Sequence, residues 1–279
     1  MTKPLQVSSK TVVIQPGSTI LRIGLASDNR PTVLLSCIAR RRKSTATCTH
    51  SSGFPRRGVA LTPTLLESLP EDLFSEAEKL QAHALSKDSF NFSRIPEDAA
   101  VAKKPEDSRT FFPFLHGLEK FESEDFIVNW PIRVGRFNPA QSPTSVVQDL
   151  EDMWSYALEN FLGIPSKTFH LFSVILVIED IFVRREVRQM TGMLLTNLKF
   201  ARVVVQQASA CATYGVGLPT ACVVDIGSQK TSVACVDEGV SLPEVRVTLP
   251  IGFSDCLFTF FQLLEAVCFR KIRSEQTTQ

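Results

Sequence analysis

The chain lacks most of the marks that assign a protein to a class at sight. Its seven cysteines (37, 48, 211, 222, 235, 256 and 268) include no C-x-x-C pair. An odd count without an export signal argues against a disulfide framework and for reduced thiols in an intracellular setting. In that setting the "NFS" sequon at Asn91 to Ser93 has no glycosylation to accept. Long hydrophobic runs are missing as well. Met1 to Lys10 is polar, and Val174 to Ile178 is among the longest purely apolar stretches, so neither a signal peptide nor a membrane span is expected. The four histidines (50, 83, 116 and 170) have no Cys or Glu at ligand spacing, which leaves no metal site to assign. No G-x-S-x-G is present to support Ser-His-Asp catalysis. Net charge is +1, so attraction to nucleic acid or membrane has to come from a local patch.

What the chain does have is apolar mass and pattern. Hydrophobic residues make up 44% of its 279 positions and include 20 Phe, enough for one large domain or two small ones. Thr11 to Ile14 is β-branched, and Leu21, Ile23 and Leu25 alternate with Arg22, Gly24 and Ala26, so residues 11–26 read as two strands around Gln-Pro-Gly-Ser-Thr. The pattern recurs. "VVIQPGSTILRIG" (Val12 to Gly24) overlays "CVVDIGSQKTSVA" (Cys222 to Ala234) without a gap, placing Gly17-Ser18 on Gly227-Ser228. This predicts a second hairpin over 222–236. Glycine at a hairpin tip lets backbone approach a ligand, and adjacent amides can point at one anion. Two such tips in one register can grip a polyphosphate from opposite sides, whereas a single Gly-Ser turn is an ordinary hairpin turn.

Between and after the hairpins, Ser145 with Gln148 has the spacing of a capping box. The helix it opens carries Val146, Leu150, Met153, Trp154, Ala157, Leu158 and Phe161 on one face and is stopped by Gly163 and Pro165. "FHLFSVILVI" (Phe169 to Ile178) reads as a strand covered on both faces. A helix over 186–198, a strand over 203–205, a short helix over 207–214 stopped by Gly215, and an apolar helical segment from Cys256 complete the pattern. Alternating strands and helices predict an α/β fold on a largely parallel sheet. Residues 44–110 differ in character: "STATCTHSSG" is low-complexity, and Glu67 to Asp107 is mostly acidic. They read as a largely disordered insertion with a short helix near Glu71 to Leu85. Just before it, Arg40, Arg41, Arg42 and Lys43 form a basic run, which reads either as a nucleic-acid-contacting or import patch or as a solvated loop.

The pieces "VVIQPGSTILRIGLASD", "IARRRK", "NWPIRVG", "DLEDMWSYAL", "QASACATYGVGL" and "VVDIGSQKTSVACVDEG" come in one order that resembles the actin superfamily. The resemblance is strongest to actin-related proteins of the subfamily 8 type, found in chromatin-remodelling complexes. It implies an actin-like (ribonuclease H-like) ATPase fold. Residues 11–43 and 111–221 would form a first lobe interrupted by the insertion 44–110, and residues 222–279 would begin an incomplete second lobe without the adenine-contacting glycine motif.

In that family the first hairpin opens with Asp where Gln15 stands, and Arg22 fills the place of a phosphate-contacting basic residue. Asp225 and Gly227 keep the pattern of the second hairpin, while Ser228 replaces an Asp associated with the metal and the attacking water. Gln207, with Gln206 beside it, falls on the water-positioning glutamine. The resemblance therefore implies a nucleotide site at Gly17, Ser18, Thr19, Arg22, Asp225, Gly227, Ser228 and Gln229. ATP would be bound weakly or structurally, Mg²⁺ stays open, and efficient hydrolysis is not expected. It further implies a nuclear scaffold subunit acting in remodelling, transcription and DNA repair, with actin, other actin-related proteins and nucleosomal DNA or histones as partners and no membrane. An active actin-fold ATPase or phosphotransferase is the alternative, and Asp225 could equally cap its own turn.

Overall fold

The computed structural model describes residues 10–41, 110–116 and 126–263. All of the expected insertion except residue 110, including its short helix, lies outside the described residues, as do Arg42 and Lys43. The chain divides into two units, one made of Met1–Ser52 with Thr110–Gly252, the other of Gly53–Arg109 with Phe253–Gln279.

The first unit is built on a five-stranded sheet. β1 (Thr11–Pro16) and β2 (Ile20–Leu25) form the expected hairpin, and β3 (Thr32–Leu35) adds to β2. On the other side of β1 lie β9 (Ser173–Ile178) and then β10 (Arg202–Gln207), giving the order β10-β9-β1-β2-β3. The expectation of a largely parallel sheet needs correction. β1–β9 and β9–β10 are parallel, but β1–β2 and β2–β3 are antiparallel. A tight tip joins β1 to β2 and can only make an antiparallel pair, whereas parallel pairing needs a long crossover.

Two helices supply the crossovers. α1 (Pro143–Asn160) precedes β9, and α2 (Arg184–Thr196) links β9 to β10. The cap of α1 is Ser142, whose hydroxyl accepts the Ser145 amide, with Pro143 in the first turn. The capping box expected at Ser145 is therefore replaced by a simple N-cap at Ser142, three residues earlier, because proline is already set for the first helical position. Gln148 instead donates to Asp152 one turn on. Past the end of α1, Gly163 takes a φ of 64°. Val146, Leu150, Met153, Trp154, Ala157 and Leu158 pack on Val12, Ile14, Leu21, Ile23, Val174 and Leu176, all fully buried. Each large side chain in this set contributes roughly 1.5–3 kcal/mol by leaving water.

The strand expected from Phe169 starts later. Ser166–Leu171 is a 3₁₀ segment, which sends Phe169 inward to stack on Phe200 at 5.2 Å. α3 (Ala208–Val216) follows β10 directly and ends on Gly217 in the left-handed region (φ 71°) rather than on Gly215.

Around this sheet sit β4 (Ile38–Arg41) between β5 (Phe111–Pro113) and β6 (Phe126–Asn129), and the two-residue pair β7 (Ile132–Arg133) and β8 (Arg136–Phe137). The second hairpin is β11 (Ala221–Ile226) with β12 (Thr231–Asp237), joined by β13 (Val240–Ser241) and β14 (Val247–Leu249). In the second unit, residues 253–263 are helical and expose Phe253, Leu257 and Phe261 at one-turn spacing. Among the described residues no helix is long and apolar enough to cross a membrane.

Candidate functional site

The sequence repeat is a structural repeat. In β1–β2, Val12 faces Leu25 and Pro16 faces Leu21; in β11–β12, Cys222 faces Cys235 and Ile226 faces Thr231, the same register pair for pair. Each tip closes with the same bond, Gly17 N–H to the Ile20 carbonyl at 3.0 Å and Gly227 N–H to the Lys230 carbonyl at 2.9 Å. A Cβ on Gly17 would stand 2.5 Å from that Ile20 oxygen, and one on Gly227 would stand 3.0 Å from that of Lys230, so glycine is what lets the turns close.

The two tips meet. Thr19 Oγ1 and Ser228 Oγ share a short hydrogen bond. A third turn clamps both tips from the side. β7 and β8 are joined by Val134-Gly135, both with positive φ (53° and 72°), as a two-residue hairpin turn requires. The Val134 amide donates to Gln229 Oε1 at 2.8 Å, and the Gly135 amide donates to Ser18 Oγ at 2.9 Å. A β-branched residue at positive φ is strained, and its amide bond to Gln229 helps hold it there.

Of the eight residues expected at a nucleotide site, six (Gly17, Ser18, Thr19, Gly227, Ser228 and Gln229) therefore lie on two tips that touch. Arg22 is exposed on β2, opposite Gln15 on one side and Val33 on the other. Asp225 is exposed near the end of β11, opposite Ser232. Gln207 is turned elsewhere. With its amide oxygen facing Arg246 it accepts from both terminal guanidinium nitrogens at 3.1 and 3.2 Å. Arg246 also donates to the carbonyls of Asp180 and Ser241 at 3.0 and 2.6 Å. The buried Asp180 carboxylate receives both the hydroxyl and the amide of Ser209, at the start of α3, and the Ser241 hydroxyl at 2.8 Å.

Sequence reasoning missed Lys230 and Glu179. Lys230 is only 8% exposed, and its Nζ lies 3.0 Å from Glu179 Oε2. It is packed so closely on Gly135 that a Cβ there would fall 2.6 Å from Nζ. A cation beside the second tip was visible in "GSQKT", but nothing in the sequence tied it to Glu179, the residue just past β9.

The basic run falls out differently. Arg40 lies on β4 and is not part of a free arm: its guanidinium donates to Asp149 Oδ1 and Asp152 Oδ2, each at 2.6 Å, and lies over the Phe111 ring. Both carboxylates come from α1, which packs behind it. Arg41 ends the same strand. Asp149 is fully buried and also receives the Asn129 and Gln141 amides at 3.3 Å. Burial pushes its carboxyl above the usual value more than Arg40 and the two amides pull it down. Desolvation lowers the Arg40 guanidinium, but its two carboxylate partners outweigh that and leave it above its usual value.

The mixed sheet, the repeated hairpin and the joined tips coincide with one family model, Actin, which matches residues 6–274. The chain belongs to the actin family. Within it, the chain is 32% identical to human actin-related protein 8 over 283 residues, covering 94% of this chain and 45% of that protein. It is 34% identical to actin-related protein 8 of Salmo salar, at the same coverages. The solved structure "Human actin-related protein Arp8 in its ATP-bound state" superposes with a TM-score of 0.67 at 31% identity, over 94% of this chain and 57% of that one. This actin-family chain thus spans about half the length of the actin-related protein 8 relatives to which it is similar.

The residues present suit phosphate: neutral hydroxyls stand on both tips, and those of Thr19 and Ser228 meet. Among the described residues no group of three or more His, Cys, Asp or Glu stands together to hold a metal ion.

Proposed function

We propose that the chain is a nuclear actin-related scaffold that binds ATP as a structural ligand without turning it over, within a chromatin-remodelling assembly. The observation that carries this reading is the uncharged junction of the two tips. Gln15 and Ser228 put an amide and a hydroxyl where Mg²⁺-dependent phosphate chemistry favours carboxylate oxygens. Hydrolysis also needs an oriented water, and Gln207 is held by Arg246. Phosphate contact needs less, namely donors that already converge, and the hydroxyls of Thr19 and Ser228 do so, with Ser18 next to Thr19 on the first tip. Thr19 and Ser228 would turn their hydroxyls from each other to the phosphate they would hold. When bound, ATP supplies the negative charge that the two tips hold in common. The chain's own part is to orient it and to couple the two hairpins.

The scaffold half of the reading rests on surface. The outer face of β11–β12–β14 leaves Val224 57% and Ile226 66% exposed on β11 and Leu249 47% exposed on β14, on either side of β12, an apolar patch of the kind that protein partners cover. Actin and other actin-related proteins are the partners proposed for it. Nucleosomal DNA or histones would be engaged by the assembly as a whole.

Binding is tested by thermal melting of the chain across an ATP series with and without Mg²⁺. A ligand at 100 times its Kd stabilises by about 2.7 kcal/mol, so saturable stabilisation that persists without Mg²⁺ is expected. No shift at millimolar ATP would contradict the reading. Ile226→Lys should abolish co-sedimentation with the partner subunits while leaving the melt unchanged.

A further inference from the structure

Cys222 on β11 and Cys235 on β12 face each other directly across the second hairpin. The ladder's parity fixes how close they come. The turn closes on a bond between Gly227 and Lys230, so hydrogen-bonded pairs recur from there at every second position, through Asp225–Ser232 and Val223–Ala234. Cys222–Cys235 falls in the alternate, non-hydrogen-bonded set. Cys235 confirms this from its other side, since its carbonyl accepts the Leu242 amide at 2.9 Å and so points away from β11. Non-hydrogen-bonded partners bring their Cα atoms to about 4.5 Å, with side chains closer than in the alternate pairs. Disulfides form across Cα separations of roughly 4.4–6.8 Å. Burial pushes the Cys235 thiol above its ordinary value, and Cys222 beside it adds to the shift.

The pair is also reachable. Cys222 is exposed and Cys235 half-buried. Cys37 is the opposite case, fully buried and pushed up to about 12 by desolvation, which leaves it without a thiolate at neutral pH.

We propose that Cys222 and Cys235 form a redox-active dithiol, oxidised to an intrachain disulfide by a low-molecular-weight disulfide. The exposed Cys222 loses its proton to solvent, and its thiolate attacks one sulfur of the small disulfide. A mixed disulfide forms and one small thiolate leaves. Cys235 then loses its proton, attacks Sγ of Cys222 and expels the second small thiolate. The two protein sulfurs give up two electrons in all, and the small disulfide is reduced to two thiols. The bond forms at the far end of the hairpin from the Gly227-Ser228 tip. It locks the register of β11 on β12 and so the placement of Ser228 against Thr19.

Lys230 lies between the two cysteines, which makes the bond readable. The full chain is equilibrated with oxidised glutathione, its remaining thiols are alkylated, and it is denatured and digested with trypsin without reduction. The expected product joins the peptide Val203 to Lys230 to the peptide Thr231 to Arg246. The first of these also holds Cys211, so Cys211→Ser should keep the link while Cys222→Ser and Cys235→Ser lose it. Cys235→Ser should in addition arrest with glutathione on Cys222. Recovery of both wild-type peptides unlinked would overturn the proposal, as would a link that survives Cys222→Ser. The wild-type digest decides even if a variant fails to fold.

Discussion

The hydroxyl of Thr19 meets the hydroxyl of Ser228 across 209 residues of chain, and through this contact the two repeats of the hairpin become one site. A part-buried neutral hydrogen bond contributes about 0.5–1.5 kcal/mol. Thr19→Val and Ser228→Ala should each lower the stability measured by urea denaturation by an amount in that range. Combined, they should cost less than the sum, because one contact is lost in all three proteins. Strict additivity would mean that the tips do not lean on each other in solution.

Gly135 is the tightest point of the clamp. Alanine there would place a Cβ 2.6 Å from Nζ of Lys230 and 2.8 Å from its Cε, at a φ of 72° that favours glycine. We expect Gly135→Ala to destabilise the chain by more than about 1 kcal/mol, since backbone strain and displacement of Lys230 from Glu179 act together. Chemical denaturation measures it, and an unchanged midpoint would place the turn away from Lys230.

Arg40 separates a structural role from a nucleic-acid role. Its removal strands the buried Asp149 without a cation, and breaking a buried pair in this way costs about 3–5 kcal/mol, with the lower end fitting a guanidinium that is 30% exposed. Arg40→Met should therefore unfold at markedly lower denaturant yet leave the salt dependence of duplex DNA binding as it was. The sequence alone left Arg40 in a basic run that was either a nucleic-acid-contacting or import patch or a solvated loop. A flattened salt slope with an unmoved midpoint would favour the nucleic-acid patch.

Asp149 also gives a pH signature. Its folded carboxyl titrates above the ordinary value of 3.8, so its contribution favours the fold below 3.8 and is lost as pH rises through the raised folded value. The stability of wild type minus that of Asp149→Asn should accordingly fall as pH rises through that window and level off above it. A difference that grows with pH would mean that Arg40, rather than burial, dominates this carboxylate.

Much of this was legible in the sequence because the repeat carried it. Gly17-Ser18 over Gly227-Ser228 announced two hairpins in one register, and both formed as read. Helix ends were less legible, since Ser142 and Gly217 compete with Ser145 and Gly215 through geometry that spacing does not encode. The clamp was hidden for another reason. Val134 and Gly135 act through backbone amides, which no residue type advertises, and Lys230 gains meaning only once β9 places Glu179 beside it. Arg40 was misleading because its partners lie more than 100 residues away, on the buried side of α1.

The central claim is that the joined tips hold ATP and leave it intact. The direct measurement is phosphate release from γ-labelled ATP mixed with the full chain in excess, in the presence of Mg²⁺. The account predicts saturable binding with the labelled nucleotide recovered unhydrolysed after hours. Release at about 1–100 s⁻¹, the range of working phosphotransferases, would contradict it.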